Sequence, residues 1–352
     1  MGWPSVKTKF ALLLVVAASV SVSLLACAKP SPEKEQPTPT PLAPVEPVEP
    51  AEPMEPVEPM EPVEPVEPVE PVEPVEPVEP VEPVEPVEPV EPVEPVWPGA
   101  FNTGVRPGTK LTVHEGDLKI SKDNTVIDSM DIRGLVRIEA KNVLIKNSRI
   151  TGRPLTSSLS LIYVNGPNYS VTVQDSELYA QYPSPYISGV IGWNFTLERV
   201  NIHHVIDQVH VIGDNVLVQD SWLHSNLHYE DDPFHSDGSH DDNIQIQKGS
   251  NIRIIHNTLE SSHTAAIIVT QDSGVVSQVL IEKNHISNGA CSLNLAEKKR
   301  GPLQGFVVKD NVFTRTQFYA GCAAVVDSTS IALLSLANNT WVDGSPISIT
   351  KR

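Results

Sequence analysis

Aromatic residues are scarce, at 5% of the 352 residues, which counts against a broad sugar-stacking platform. Positive charge is scarce too, with 25 Lys and Arg against 44 Asp and Glu. No basic field interleaved with aromatics exists, so nucleic acid is excluded as a partner. Only three cysteines occur, and they show no redox motif. No histidine–cysteine cluster has the usual zinc spacing. The apolar run from Phe10 to Val22 is short for a membrane-spanning helix.

What the chain does have is a repeat. Asn257, Asn284, Asn311 and Asn339 recur at steps of 27, 27 and 28 residues. They lie in Ile252–Leu259 (IRIIHNTL), Val279–Ile286 (VLIEKNHI), Phe306–Phe313 (FVVKDNVF) and Leu334–Trp341 (LSLANNTW). Val143–Ile150, Val171–Leu178, Phe195–Ile202 and Val216–Leu223 fit the same frame, and Thr125–Ile132 opens the series. Within each unit apolar and polar residues alternate, which is the period of a strand. A second strand precedes each unit, as in Leu159–Val164, Gln208–Val211, Asn243–Ile246 and Ala266–Val269. A fixed period of this size marks units that bury their faces only against their neighbours. The expected fold is all-β, a right-handed parallel β-helix of about eight to nine coils, with the asparagines stacked as an amide ladder. At about 4.8 Å per coil, eight coils make a rod about 40 Å long. A β-sandwich with coincidental spacing is the alternative.

The N-terminal segment reads as an address. Lys7 and Lys9 precede the apolar run, and Leu24–Cys27 (LLAC) closes it, the layout of a secretory signal. The LLAC end resembles a bacterial lipobox, which implies a signal peptide at 1–26 and lipidation of Cys27. A simple signal peptide is the alternative. The implied location is extracytoplasmic, with the chain anchored to a bacterial cell membrane. Residues 27–98 are rich in Pro, Glu and Val, with proline at every third position over most of Val45–Val96. Proline fixes φ and removes amide donors, so polyproline II is the natural state and no packed core forms. At about 3.1 Å per residue, the stretch from Pro37 to Val96 reaches roughly 190 Å. A stalk is expected, with a ligand for a proline-binding partner as the alternative. The 17 glutamates from Glu46 to Glu94 carry most of the formal charge of −19. The folded domain expected at 99–352 is therefore near neutral. With Cys27 lipidated, Cys291 and Cys322 remain, 31 residues apart at equivalent points of adjacent coils. In an oxidising compartment they are expected to pair; two buried thiols are the alternative.

One step breaks the period. Val218 and Ile254 are 36 residues apart, and the surplus is His224–Asp242 (HSNLHYEDDPFHSDGSHDD). A loop inserted into a solenoid projects from one face, where function usually sits. Nine of the 11 histidines fall between His203 and His263, alongside Glu230, Asp231, Asp232, Asp237, Asp241 and Asp242. Imidazole and carboxylate together supply proton transfer near neutral pH and hard ligands for a cation. In the aligned strands, Val209 and Val211 stack on Ile244 and Ile246 in the core. His210 and Gln245 then face outward, with Asp207 and Asp242 at the strand starts and His263 in the next coil. Stacked carboxylates raise each other's pKa unless a proton or cation lies between them. Duller readings compete: Asp237-Gly238 is an ordinary turn pair, and Glu230, Asp231 and Asp232 form a solvated loop face. His203, His204 and His256 are surface or stacking residues.

With this repeat and the segment His235–Asp242 (HSDGSHDD), the region from Val105 to Ile349 resembles the pectin-lyase-like right-handed β-helix superfamily. Members mostly cleave polysaccharides, as metal-assisted lyases on uronic acids or as hydrolases with paired carboxylates; tail spikes and adhesins share the fold. The chain departs from the familiar enzymes. No basic pair flanks a proline near the groove, since Gly152–Leu155 (GRPL) lies several coils away. Asp241-Asp242 mimics the paired aspartates of polygalacturonases, but no Gly-His-Gly or Arg-Ile-Lys follows. The resemblance implies a surface enzyme degrading a polysaccharide, first a lyase on a uronic-acid-containing glycan, second a glycoside hydrolase. A non-catalytic carbohydrate-binding or adhesive module is the third expectation. In the lyase reading His210 or His235 is the base, Asp207, Asp237 and Asp242 hold Ca²⁺, and Asp241 orients histidines or shares the cation. Gln245, His240 and His263 bind sugar. In the hydrolase reading Asp237, Asp241 or Asp242 act as acid and base.

Overall fold

The structure, a computed structural model, describes residues 96–352. The expected signal segment, Cys27 and the stalk up to residue 95 lie outside the described residues. Contacts of the folded body begin at Trp97, whose ring lies 5.7 Å from His256 and 5.5 Å from His285. Pro98 is buried, so packing starts two residues before the expected boundary.

Each apolar-alternating unit is a strand of one sheet. In Val143–Lys146, Val171–Gln174, Phe195–Glu198 and Val216–Gln219, the first and third residues are buried and the second and fourth half-buried. These strands pair in parallel and in register, for example Phe195 with Val171 and Leu197 with Val173. Nine of them form one sheet, and two further sheets of ten parallel strands complete each coil. The result is the right-handed parallel β-helix that the repeat predicts. Two strands, Thr112–Glu115 and Leu118–Ile120, precede the unit expected to open the series. Fully burying each Ile, Leu or Val contributes about 1.5–3 kcal/mol before entropy is counted.

The corner after this sheet is made the same way in every coil. Its fifth residue sits in the left-handed region: Ser129, Asn147, Asp175, Arg199, Asp220, His256, Lys283, Asp310 and Asn338 have φ between 47° and 57°. That turn swings the sixth side chain inward, where the ladder forms. Asn257 donates its backbone N–H and its Nδ2 to Asn284 Oδ1, at 2.9 and 3.0 Å. Asn284 does the same to Asn311, at 2.9 Å each, and Asn311 to Asn339, at 3.2 and 2.8 Å. Each Nδ2 also reaches a carbonyl of the preceding coil, as Asn284 does to Ile254 O at 2.9 Å. Upstream the ladder continues with hydroxyls: Ser221 N–H donates to Asn257 Oδ1, and Ser148 N–H to Ser176 Oγ. A buried polar side chain is tolerated here because its hydrogen bonds are made.

Cys291 and Cys322 are joined, with Cα atoms 4.8 Å apart, just before the paired strands Leu293–Leu295 and Ala324–Val326 of adjacent coils. The paired reading holds, and the free-thiol alternative does not.

Asn284→Ala removes the acceptor of Asn257 and both side-chain donors to the neighbouring coils. We expect a loss of about 2–4 kcal/mol, read from the guanidinium unfolding midpoint by circular dichroism. A loss below about 0.5 kcal/mol would mean that water replaces the ladder at no cost.

Candidate functional site

The extra residues leave the helix where expected. The strand Trp222–His224 ends, Ser225 turns at φ 51°, and the chain returns at Asp242–Lys248. The excursion is anchored at both ends. Asn226 Nδ2 donates to Ile206 O and Asp242 O, at 2.8 and 3.0 Å. Its Oδ1 accepts from Asn243 Nδ2, which also reaches Gln208 Oε1 at 2.7 Å. Tyr229 and Ser239 clip the ends together through Tyr229 N–H to Ser239 Oγ and Ser239 N–H to Tyr229 O. Gly238 has φ 94°, so Asp237-Gly238 is the turn that its composition suggested. The loop tip leans back on the previous coil, with Phe234 edge-on to Tyr186 at 5.8 Å.

Between this loop and the ten-stranded sheet that contains Asp242–Lys248 lies a cleft of roughly 800 Å³, lined by Asp207, His210, Asp232, His235, Asp242 and Gln245 among others. The strand register is as read from the sequence: Val209 on Ile244, His210 on Gln245, Val211 on Ile246. Asp207 and Asp242 occupy successive coils, and Asp242 N–H donates to Asp207 Oδ1 at 3.1 Å. The expected outward groove exists, but its acids are not exposed. Asp242 is fully buried, and neither of its carboxylate oxygens has a hydrogen-bond partner. Burial pushes the Asp207 carboxyl up to about 7, with the Asp241 charge adding to the effect. Burial, then the charges of Asp207 and Asp241, hold the Asp242 carboxyl well above the usual range. His210 Nε2 is also buried without a partner, and burial lowers the pKa of this imidazole.

Above the floor stands an oriented imidazole. His235 Nδ1 lies 2.9 Å from Asp232 Oδ2, an oxygen that also accepts the backbone N–H groups of Phe234 and His235. The Asp232 side chain is only 2% exposed, so the solvated-face reading fails for it: three donors hold it inward. A carboxylate only accepts, so Nδ1 carries the proton, and in the neutral ring the lone pair is on Nε2. His240 stacks on His235 at 4.0 Å and donates from Nε2 to Asp237 Oδ1 at 3.2 Å.

Three expectations are corrected. Asp237 is at the rim with its side chain 76% exposed, and it does not line the cleft with Asp207 and Asp242. Asp241 is not a free acid or base, because His228 Nδ1 and His263 Nδ1 occupy its two oxygens at 2.7 and 3.0 Å. His263 is thereby turned to Asp241 and does not line the cleft. Neighbouring residues entering a strand face opposite ways, which separates Asp241 from Asp242. Sequence reasoning missed Asn226, Gln208 and Asn243, whose roles depend on contacts across coils. Asp232 carried one usable signal, its position three residues before His235.

A carboxyl raised in the folded state binds its proton more tightly than in the unfolded chain. Stability should therefore fall as pH rises from about 4 through about 7, because ionisation of the buried acids is resisted. Asp242→Asn should flatten that fall and raise the melting temperature at pH 8 by at least about 2–4 °C. Thermal melts of both proteins across pH check this, and identical profiles would mean that Asp242 titrates normally.

No protein-family model matches the sequence, and no curated protein is similar to it in sequence. Among solved structures, the chain is similar to the A-module of the mannuronan C-5 epimerase AlgE6 from Azotobacter vinelandii. The identity is 12%, the TM-score 0.45, and the match covers 65% of this chain and 61% of that one. It is also similar to the Dettilon tailspike protein, at 12% identity and TM-score 0.35, covering 66% and 62%. A third is the endo-xylogalacturonan hydrolase of Aspergillus tubingensis, at 13% identity and TM-score 0.39, covering 73% and 80%. The chain thus spans about three-fifths of the length of the epimerase module and of the tailspike. With every TM-score below 0.5, these likenesses carry no argument about family or chemistry; the coiled fold rests on the parallel strand pairing itself.

Proposed function

We propose that this is a polysaccharide-degrading enzyme whose cleft carries out β-elimination on a uronic-acid-containing glycan. The observation that carries the reading is Asp242, a buried carboxyl with two unpartnered oxygens at the floor of an open cleft. Buried polar atoms are almost always paired, so its partner is a group that enters the cleft. A carboxyl kept protonated by burial donates a hydrogen bond, and a uronate carboxylate accepts it. That bond strengthens as the carboxylate gains enolate character.

His235 is the base in this reading, ahead of His210. Its Nε2 lone pair takes the proton on the carbon next to the uronate carboxyl, and Asp232 stabilises the imidazolium. The electron pair released forms the carbon–carbon double bond as the glycosidic C–O bond breaks, and the leaving oxygen takes its proton from the His235 imidazolium, which returns to the neutral base. Gln245 and His240 supply hydrogen bonds to sugar hydroxyls. Anchoring at Cys27 and display on the Pro/Glu/Val stalk complete the proposal: an extracytoplasmic enzyme on a bacterial cell membrane, with a polysaccharide as partner.

A second reading, glycoside hydrolysis, is favoured by the stacking of Asp207 on Asp242. Two carboxyls whose protons are held differently meet the need for one acid and one base. The purified protein should be incubated with polyuronates and neutral glycans while unsaturated-sugar absorbance and new reducing ends are followed. Absorbance together with reducing ends is expected, and His235→Ala and Asp242→Asn should each lower it roughly 10²–10⁴-fold. Reducing ends alone would replace elimination by hydrolysis. Neither product across the panel would leave a displayed carbohydrate-binding or adhesive module.

A further inference from the structure

The cluster around Asp241 is not used by the cleft chemistry. Its carboxylate is fully buried, and two imidazoles converge on it from the same side. His228 Nδ1 is 2.7 Å from Oδ1 and His263 Nδ1 is 3.0 Å from Oδ2. The two rings stack at 3.9 Å with planes 21° apart. One ligand atom from each of the three residues lies within 4.8 Å of the other two, and among the described residues no other group of three His, Cys, Asp or Glu does so. The carboxylate is held for this purpose by the backbone, since His263 N–H donates to Oδ2 at 3.0 Å. Ser239 Oγ stands just outside, 3.4 Å from His228 Nδ1 and 3.5 Å from Asp241 Oδ1.

We infer that His228, Asp241 and His263 bind one divalent ion of the zinc class. Two imidazole nitrogens and one carboxylate oxygen are the borderline donor set that suits zinc and is poor for calcium or magnesium. Zinc bonds of about 2.0–2.2 Å in a tetrahedral site place ligand atoms about 3.3 Å apart. The His–Asp separations of 2.7 and 3.0 Å are made to the two different carboxylate oxygens, and a set whose ligand atoms all lie within 4.8 Å of one another reaches that geometry by side-chain rotation alone. Both histidines have room to do this, with side chains 29% and 54% exposed. The solvent side of His263 leaves the fourth position to water.

The placement gives the ion a task. His228 lies near the start of the excursion, Asp241 at its end, and His263 before the strand Ala265–Val269 of the next coil. An ion there ties both ends of the loop to the helix body and fixes the wall that carries Asp232 and His235. The site stands whether or not the cleft is catalytic.

The test is binding to the chelator-treated full-length protein, with Zn²⁺, Ca²⁺ and Mg²⁺ as probes, read by calorimetry and thermal melting. One equivalent of Zn²⁺ is expected, raising the melting temperature by about 5–10 °C at a hundredfold excess over Kd. His228→Ala and His263→Ala should each weaken binding at least about 10-fold with unchanged circular dichroism. His114→Ala, far along the rod, should bind as the parent does. Absence of a stoichiometric zinc isotherm, equal binding of Ca²⁺, or undiminished binding in the His228→Ala/His263→Ala double variant would each overturn the proposal. The assay is independent of glycan turnover, so its outcome and that of the elimination assay are read separately.

Discussion

Parallel stacking in strict register is the constraint on which everything else in this molecule rests. Each strand satisfies its backbone only through the coils above and below, so one register is handed along the rod. The amide ladder fixes that register at a corner, because Asn284 must meet Asn257 on one side and Asn311 on the other. A slip of one residue would place every Ile and Val of that sheet in water. The left-handed residue before each ladder position is part of the same device, since it turns the polar side chain inward where its bonds wait.

Register also explains how a regular rod acquires a site. Because Val209 sits on Ile244 and Val211 on Ile246, the residues preceding them are also stacked, and Asp207 and Asp242 meet on successive coils. Two carboxyls brought together in this way resist ionisation, and the loop packed beside them excludes the water that would relieve it. The fold therefore spends stability to hold protons in the cleft, as functional sites commonly do.

The loop in turn depends on the rod. Its root is pinned by Asn226, Gln208 and Asn243, its ends are clipped at Tyr229 and Ser239, and its buried Asp232 collects three donors. Those fixtures convert a polar segment into a wall with His235 aimed by a carboxylate. They also leave Asp241 facing away from the cleft, with two imidazoles of its own.

The period of the asparagines, the alternation of apolar residues and the long step from Val218 to Ile254 determined the coil, the register and the place of the excursion. These are local patterns, and a repeat writes each of them several times over. The pairing of Cys291 with Cys322 was legible for the same reason, because equivalent points of adjacent coils are neighbours. What only the tertiary structure decided is the division of labour among similar residues. Asp241 and Asp242 are adjacent in sequence, yet one is bound to His228 and His263 and the other lies unpartnered in the cleft. Asp237 and Asp232 read alike in the loop, yet one is exposed and the other buried. Direction and burial decide these roles, and both are set by contacts between coils and loop that no spacing along the chain records.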